Sequence, residues 1–207
     1  MASVKKRKPG HYHHGGLREA LVAAGRSLLE QRGRHGFTLR ECARRARVSH
    51  AAPAHHFHTV SDLLTEIAAR GFDELSAAMD ATAAAATDRS DPAQRLIALG
   101  RGYVRFALAN KAVFQLMFDG DVEPEKNERL ASAGKAAYLR LIGGIDGLTS
   151  GRSPAAKQAL ADLAWSSVHG YAILLLGGQL DHDDPADPAF DRRLKSLLEG
   201  VIAAGSR

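Results

Sequence analysis

The sequence predicts an all-α fold of about nine helices. Three observations carry that expectation. Apolar residues recur at three- and four-residue steps along most of the 207 residues, as one face of a helix requires. Helix-start signals stand before these runs. No stretch combines strand alternation with a hairpin turn.

Taken in order, Leu17, Leu21, Ala24, Leu28 and Leu29 form the first stripe, which ends near Gly33. Thr38 followed by Glu41 is a capping box, in which each side chain can satisfy the other's free backbone N–H, so a second helix begins at Leu39. Its apolar face is Leu39, Cys42, Ala43 and Ala46, leaving Arg40, Arg44, Arg45 and Arg47 to point elsewhere. Ser49 is an N-cap candidate for a third helix only a few residues later. A long fourth helix starts at Thr59, with the stripe Val60, Leu63, Leu64, Ile67, Phe72, Leu75 and Met79. At about 20 residues, or 30 Å, it can serve a small bundle at one end and a second core at the other. After the polar break TDRSDP, Asp91 and Pro92 stand as N-cap and first helical residue. That helix carries Leu96, Ile97, Leu99, Tyr103, Val104 and Phe106. A short apolar segment, Val113 to Phe118, follows, then a helix from about Pro124 to Ile142. Ser153 and Pro154 start another, which stops at Gly177 and Gly178. The acidic loop DHDDPADP leads to a last helix with Phe190, Leu194, Leu197, Leu198, Val201 and Ile202.

The net charge of +5 hides a division. Residues 1–61 hold 12 Lys and Arg against 3 Glu, a net +9, whereas residues 62–207 hold 16 against 20, a net −4. Eight of the ten His also lie between His11 and His58. Such asymmetry points to nucleic acid or an anionic membrane surface as partner. Two short helices joined by a tight turn inside this basic segment, over Thr38 to Phe57, point to DNA. The start MASVKKRKPG has no apolar period and reads as a disordered basic arm over 1–11, either solvated or touching DNA. It lacks the hydrophobic stretch of a signal peptide, and no run of about 18 apolar residues occurs, so the expected address is cytoplasmic, with no membrane partner. The lone Cys42 excludes an intramolecular disulfide and reads as a small buried hydrophobe.

These residues resemble the TetR family of bacterial transcription regulators. The N-terminal likeness lies in YHHGGLREALVAAG at 12–25, FTLRECARRARVSHAAP at 37–53 and HHF at 55–57 before TVSDLL. FQLMF at 114–118, and Trp165 with His169 and Gly170, look like the subgroup with a Trp-His-Gly type C-terminal domain. The resemblance implies a helix-turn-helix DNA-binding domain over 12–60 and an effector-binding and dimerisation domain over 61–207. Three positions depart from the family pattern: Arg47 stands where the turn usually has Gly, Ala54 where Tyr is usual, and Val60 where Lys is usual.

A helix-turn-helix places the N-terminal residues of its second helix at base edges in the major groove. The expected DNA contacts are therefore Ser49, His50, Ala51, Ala52 and Pro53, with His50 offering a hydrogen bond and the alanines packing on thymine methyls. Thr38, Arg47, His55, His56 and His58 complete the set as phosphate contacts. Adjacent His residues diverge on a helix and no carboxylate stands at ligand spacing, so no metal is expected; no cofactor is expected either. Tyr103, Phe106, Met117, Phe118, Tyr138, Trp165 and His169 read as core by default, and the resemblance implies that some surround an effector cavity. It also implies a homodimer through the last two helices, presenting two reading helices to a palindromic operator on double-stranded DNA. The leading expectation is a ligand-responsive repressor released by a small molecule. An architectural DNA binder without effector is the alternative. An enzyme is remote, because no nucleophile elbow, phosphate loop or zinc signature is present.

Overall fold

The computed structural model describes residues 14–118, 122, 127–180 and 187–205. Among these there are eight α-helices, two 3₁₀ turns and no strand. The helices are α1 (His14–Arg32), α2 (Leu39–Arg45), α3 (Val60–Ala84), α4 (Pro92–Ala109), α5 (Lys111–Met117), α6 (Glu128–Gly143), α7 (Pro154–Leu176) and α8 (Pro188–Gly205), with 3₁₀ turns at Ala52–His55 and Asp146–Thr149. The basic arm, Pro124 and positions 181–186 of the acidic loop fall outside the described residues.

The start signals act as the chain requires. The Oγ1 of Thr38 accepts from the backbone N of Glu41 at 3.1 Å. Thr59 and Asp62 form a complete reciprocal box: Thr59 N donates to Asp62 Oδ2 at 2.9 Å and Asp62 N to Thr59 Oγ1 at 3.1 Å. Asp91, with Pro92 behind it, accepts from Ala93 N at 2.8 Å, and Ser153, with Pro154 behind it, accepts from Ala156 N at 3.3 Å. The helix expected from Pro124 starts at Glu128, where Asn127 Oδ1 accepts from Leu130 N at 2.9 Å.

One element differs from expectation. The third helix does not start at a Ser49 cap; the chain instead makes the short 3₁₀ turn Ala52–His55, which has no side-chain cap. An α-helix capped by Ser49 would take its first backbone bond from the N–H of Pro53, four residues on, and proline has none. The Ser49 carbonyl accepts from Ala52 N instead, at 3.1 Å, the tighter three-residue closure of a 3₁₀ turn.

The chain divides into two compact units, Met1–Leu63 and Leu64–Arg207, with the division inside α3. In the first, α1 packs on α2 and α2 on the 3₁₀ turn, burying Leu21, Leu28, Phe37, Cys42, Ala43 and Phe57. In the second, α4 packs on α5, α6, α7 and α8. Helix α7 has the length and hydropathy to cross a membrane. Its inner face, from Leu160 to Leu176, packs on α4, α6 and α8, while Ser166 and Asp162 are exposed.

Candidate nucleic-acid interface and effector cavity

In the first unit, the exit from α2 is a complete Schellman turn: Val48 N donates to Ala43 O at 3.0 Å and Arg47 N to Arg44 O at 3.2 Å. This places Arg47 at φ +58°, and among the described residues it is the sole non-glycine at positive φ. The turn therefore keeps the backbone that glycine would adopt freely, at a cost of about 1 kcal/mol. In exchange the Arg47 side chain stands exposed at the corner between α2 and the 3₁₀ turn.

The arginines of α2 are not equivalent. The Glu41 carboxylate accepts from Arg44 Nε at 2.8 Å, from Arg44 Nη2 at 2.7 Å and from Arg45 Nε at 3.3 Å. Its pKa is held down to about 2, chiefly by the Arg44 hydrogen bonds. Glu41 thus completes only half of the capping box, its carboxylate being engaged by the arginines. Arg45 Nη1 also donates to Gln31 Oε1 of α1 at 2.9 Å, tying the two helices together. In the sequence Glu41 is read only as a capping residue; spacings of three and four residues are the signal that could have found its arginine pairs, whereas no spacing signals a contact fourteen residues away.

Beyond the turn, Ser49, His50, Ala51, Ala54, His55 and His58 are exposed, and Ala52 and His56 are half-buried. Pro53 is buried, so it stiffens the segment from within. Phe57 is 2% exposed and Arg18 lies over its ring at 5.2 Å from the centroid. Thr38 is exposed at the start of α2 with its hydroxyl in the cap. The result is an exposed basic and histidine-rich surface on a small apolar base. Cys42 is buried, and desolvation pushes its thiol up to about 11, so it is no nucleophile at neutral pH.

In the second unit, helices α3, α5, α6 and α7 line a cavity of about 530 Å³ that opens to solvent past the exposed Ala131, Lys135 and Trp165. Met117, Phe118, Tyr138 and Trp165, four of the residues read as core or cavity wall, line it together with Phe72, Leu130 and Lys135. A smaller recess continues from it to Tyr103. The walls are mainly apolar, with the Tyr138 hydroxyl accepting from Gln158 Nε2 at 2.9 Å. His169 stands behind this wall: its ring lies 4.5 Å from that of Phe118 and 6.3 Å from that of Trp165, and its Nδ1 is 2.9 Å from Tyr103 Oη. Burial pushes His169 down and Tyr103 up, so at neutral pH both are uncharged. Phe106 is buried in the α4 core outside both walls. Phe72 and Leu130 were read only as core stripe or not singled out, since spacing alone cannot separate a cavity wall from a filled core.

Residues 21–67 match the model of the bacterial regulatory proteins of the tetR family, and residues 96–197 that of the Tetracyclin repressor-like C-terminal domain. The chain belongs to the TetR family. This TetR-family regulator is 33% identical to a protein of unknown function from Rhodococcus sp. RHA1, over 94% of this chain and 98% of that one, with a TM-score of 0.77. Two further solved structures share its fold. A bacterial regulatory protein in the tetR family from Rhodococcus RHA1 is 21% identical, over 89% of this chain and 96% of its own, with a TM-score of 0.67. The multidrug binding protein EbrR, complexed with imidazole, is 16% identical, over 89% and 93%, with a TM-score of 0.60. No protein with a curated function matches the sequence. The protein is thus a helix-turn-helix transcriptional regulator of the TetR family.

Proposed function

We propose that this regulator is a ligand-responsive repressor, which binds a palindromic operator as a homodimer and leaves it when a small molecule enters the second unit. The observation that carries this reading is the cavity of about 530 Å³ between α3, α5, α6 and α7. Its size and apolar walls with a few polar groups suit a small organic molecule, and an architectural DNA binder has no use for it. The structural relative EbrR, described as a multidrug binding protein, supports the same reading. Met117, Phe118, Tyr138 and Trp165 are the proposed wall, with Tyr103 and His169 supplying polar groups behind it. The Trp165, His169 and Gly170 of the subgroup signature would then have one function together, holding α7 against the cavity.

Helix α7 also carries the features proposed for dimerisation. Leu163, Ile173 and Leu174 are 42–44% exposed. Gly170 in α7 and Gly200 in α8 have nothing within 4 Å of where a Cβ would stand. A glycine inside a helix costs about 1 kcal/mol relative to alanine, and no neighbour within the chain requires it at either place. A second copy packing α7 and α8 closely against the same helices accounts for both. A ligand touching Trp165 then acts on the helix that sets the spacing of the two DNA-reading surfaces, and it shifts the equilibrium only if it prefers one spacing.

The test is selection of genomic fragments bound by the protein, followed by a compound screen for their release, with Trp165 fluorescence reporting cavity occupancy. Fragments with two-fold symmetric sites, and compounds that both alter the fluorescence and release DNA, are expected. A protein that binds DNA but whose cavity takes up no compound would leave the architectural reading standing.

A further inference from the structure

Of the ten residues that line the cavity, only Lys135, Tyr138 and Trp165 carry a nitrogen or oxygen in the side chain. All three are donors. The Lys135 ammonium has three N–H groups and no acceptor, and the Trp165 indole has one N–H. The Tyr138 oxygen accepts from Gln158 Nε2 at 2.9 Å, and Asp162 Oδ1 accepts from the same nitrogen at 2.8 Å. That second bond fixes the amide NH₂ on this side, because its oxygen would meet the carboxylate unfavourably. An amide nitrogen can only donate, so the O–H of Tyr138 is left to donate to something else.

Lys135 and Tyr138 stand three residues apart on α6 and so share a face. The positions three and four residues from Lys135 are Ala131, Ser132, Tyr138 and Leu139, none of them an acid. The acids of the lining helices are engaged elsewhere: Asp73 and Asp80 of α3 pair with Arg129 and Arg140, and Asp162 of α7 holds Gln158. Among the described residues Lys135 has no ion pair. Behind it the wall is apolar and largely aromatic, with Phe72 and Phe118 edge to face at 5.4 Å and Tyr138 and Trp165 likewise at 5.4 Å. The cavity therefore has an apolar interior, and one cation beside a free hydroxyl donor at its mouth.

We infer that the molecule this cavity takes is an amphipathic carboxylate, its apolar body against Phe72, Phe118 and Leu130 and its anionic head at Lys135 and Tyr138. This rests on the effector-cavity reading and adds the ligand's chemical class to it. The choice is local, since residues 62–207 as a whole carry a net −4. A carboxylate accepts from both donors, whereas an amine meets a like charge and finds no acid in the wall. Lys135 is exposed, so its attraction is that of a surface pair, about twofold to fivefold in Kd.

Three probes share one body and differ in the head: 4-phenylbutyrate, 4-phenyl-1-butanol and 4-phenylbutylamine. Trp165 is the chain's single tryptophan, so its fluorescence reports occupancy of this cavity. The carboxylate is expected to bind about tenfold tighter than the amine, attraction and repulsion adding, and added KCl should narrow the gap. Lys135→Met should abolish the preference, Lys135→Glu should reverse it and Lys135→Arg should keep it. In all three variants the Kd of the alcohol should stay within about twofold of the parent's, which shows that the cavity has kept its shape. Equal binding of carboxylate and amine overturns the inference and leaves the cavity reading intact. So does a preference for the amine, which would assign the mouth to Asp121 and Glu123, the sequence neighbours of Val122. A carboxylate preference that survives Lys135→Glu overturns its assignment to Lys135. Should compounds of the release screen bind and none of the three probes do so, the inference falls alone; if no compound of either kind alters the fluorescence, the cavity reading falls with it.

Discussion

In the unit ending at Leu63, the buried apolar side chains come from short stretches of α1, α2 and the segment around Phe57, whereas in the second unit α4 by itself buries ten consecutive or nearly consecutive residues from Leu96 to Ala107. The small unit has no surplus: each buried side chain is a large share of its stability, and polar caps and ion pairs fix its shape. In the large unit a cavity of about 530 Å³ opens to solvent beside Trp165. Small units depend on single residues, and large ones can hold a cavity.

Four substitutions test that contrast. Phe57→Ala has the largest expected effect: it removes a side chain only 2% exposed, at about 3–5 kcal/mol, comparable with the whole stability of a small domain. DNA binding should be lost while the Trp165 fluorescence transition, which reports the second unit, stays within a few degrees of the native one; a joint collapse would show that the two units are one cooperative system. Gly102→Ala comes next and strikes the other unit. Its Cβ would stand 2.7 Å from the Ala78 carbonyl oxygen and 2.8 Å from Met79 Cα, so α3 and α4 must separate at about 1–3 kcal/mol. Differential scanning calorimetry should register a lower transition for the second unit.

Thr38→Ala should destabilise the first unit by about 1 kcal/mol through loss of its cap, read as a lower midpoint for loss of DNA binding in urea. Arg47→Gly is the smallest and has the opposite sign. Relief of the positive φ should stabilise the first unit by about 1 kcal/mol or less, while removal of an exposed cation weakens DNA binding and reduces its salt dependence. Greater stability with weaker binding is the diagnostic pair. A Gly variant no more stable than the parent would mean that the turn stores no strain.

Much of this contrast could be read from residues. Thr38, Thr59, Asp91 and Ser153 announce their helices because capping is chemistry between near neighbours. The strain at Arg47 was legible by resemblance, as a long side chain where a glycine is usual. Ser49 was misread as a cap because the same residues permit two closures, and the missing N–H of Pro53 decides between them. The cavity was the least legible. Phe106 and Phe118 carry the same periodic signal, and only the packing of α4 against α3, α5, α6 and α7 makes one core and the other wall. The tie between Arg45 and Gln31 joins two helices by geometry that no spacing encodes.

The shared carboxylate of Glu41 has a consequence in time rather than in structure. Two of the arginines that make this segment basic are already neutralised in part by a charge of the same helix. The attraction to an arbitrary stretch of DNA is weaker than composition suggests, and that attraction governs how long a protein lingers on sequence it does not need. A regulator built this way lets go of the wrong place sooner, and so spends more of its search moving.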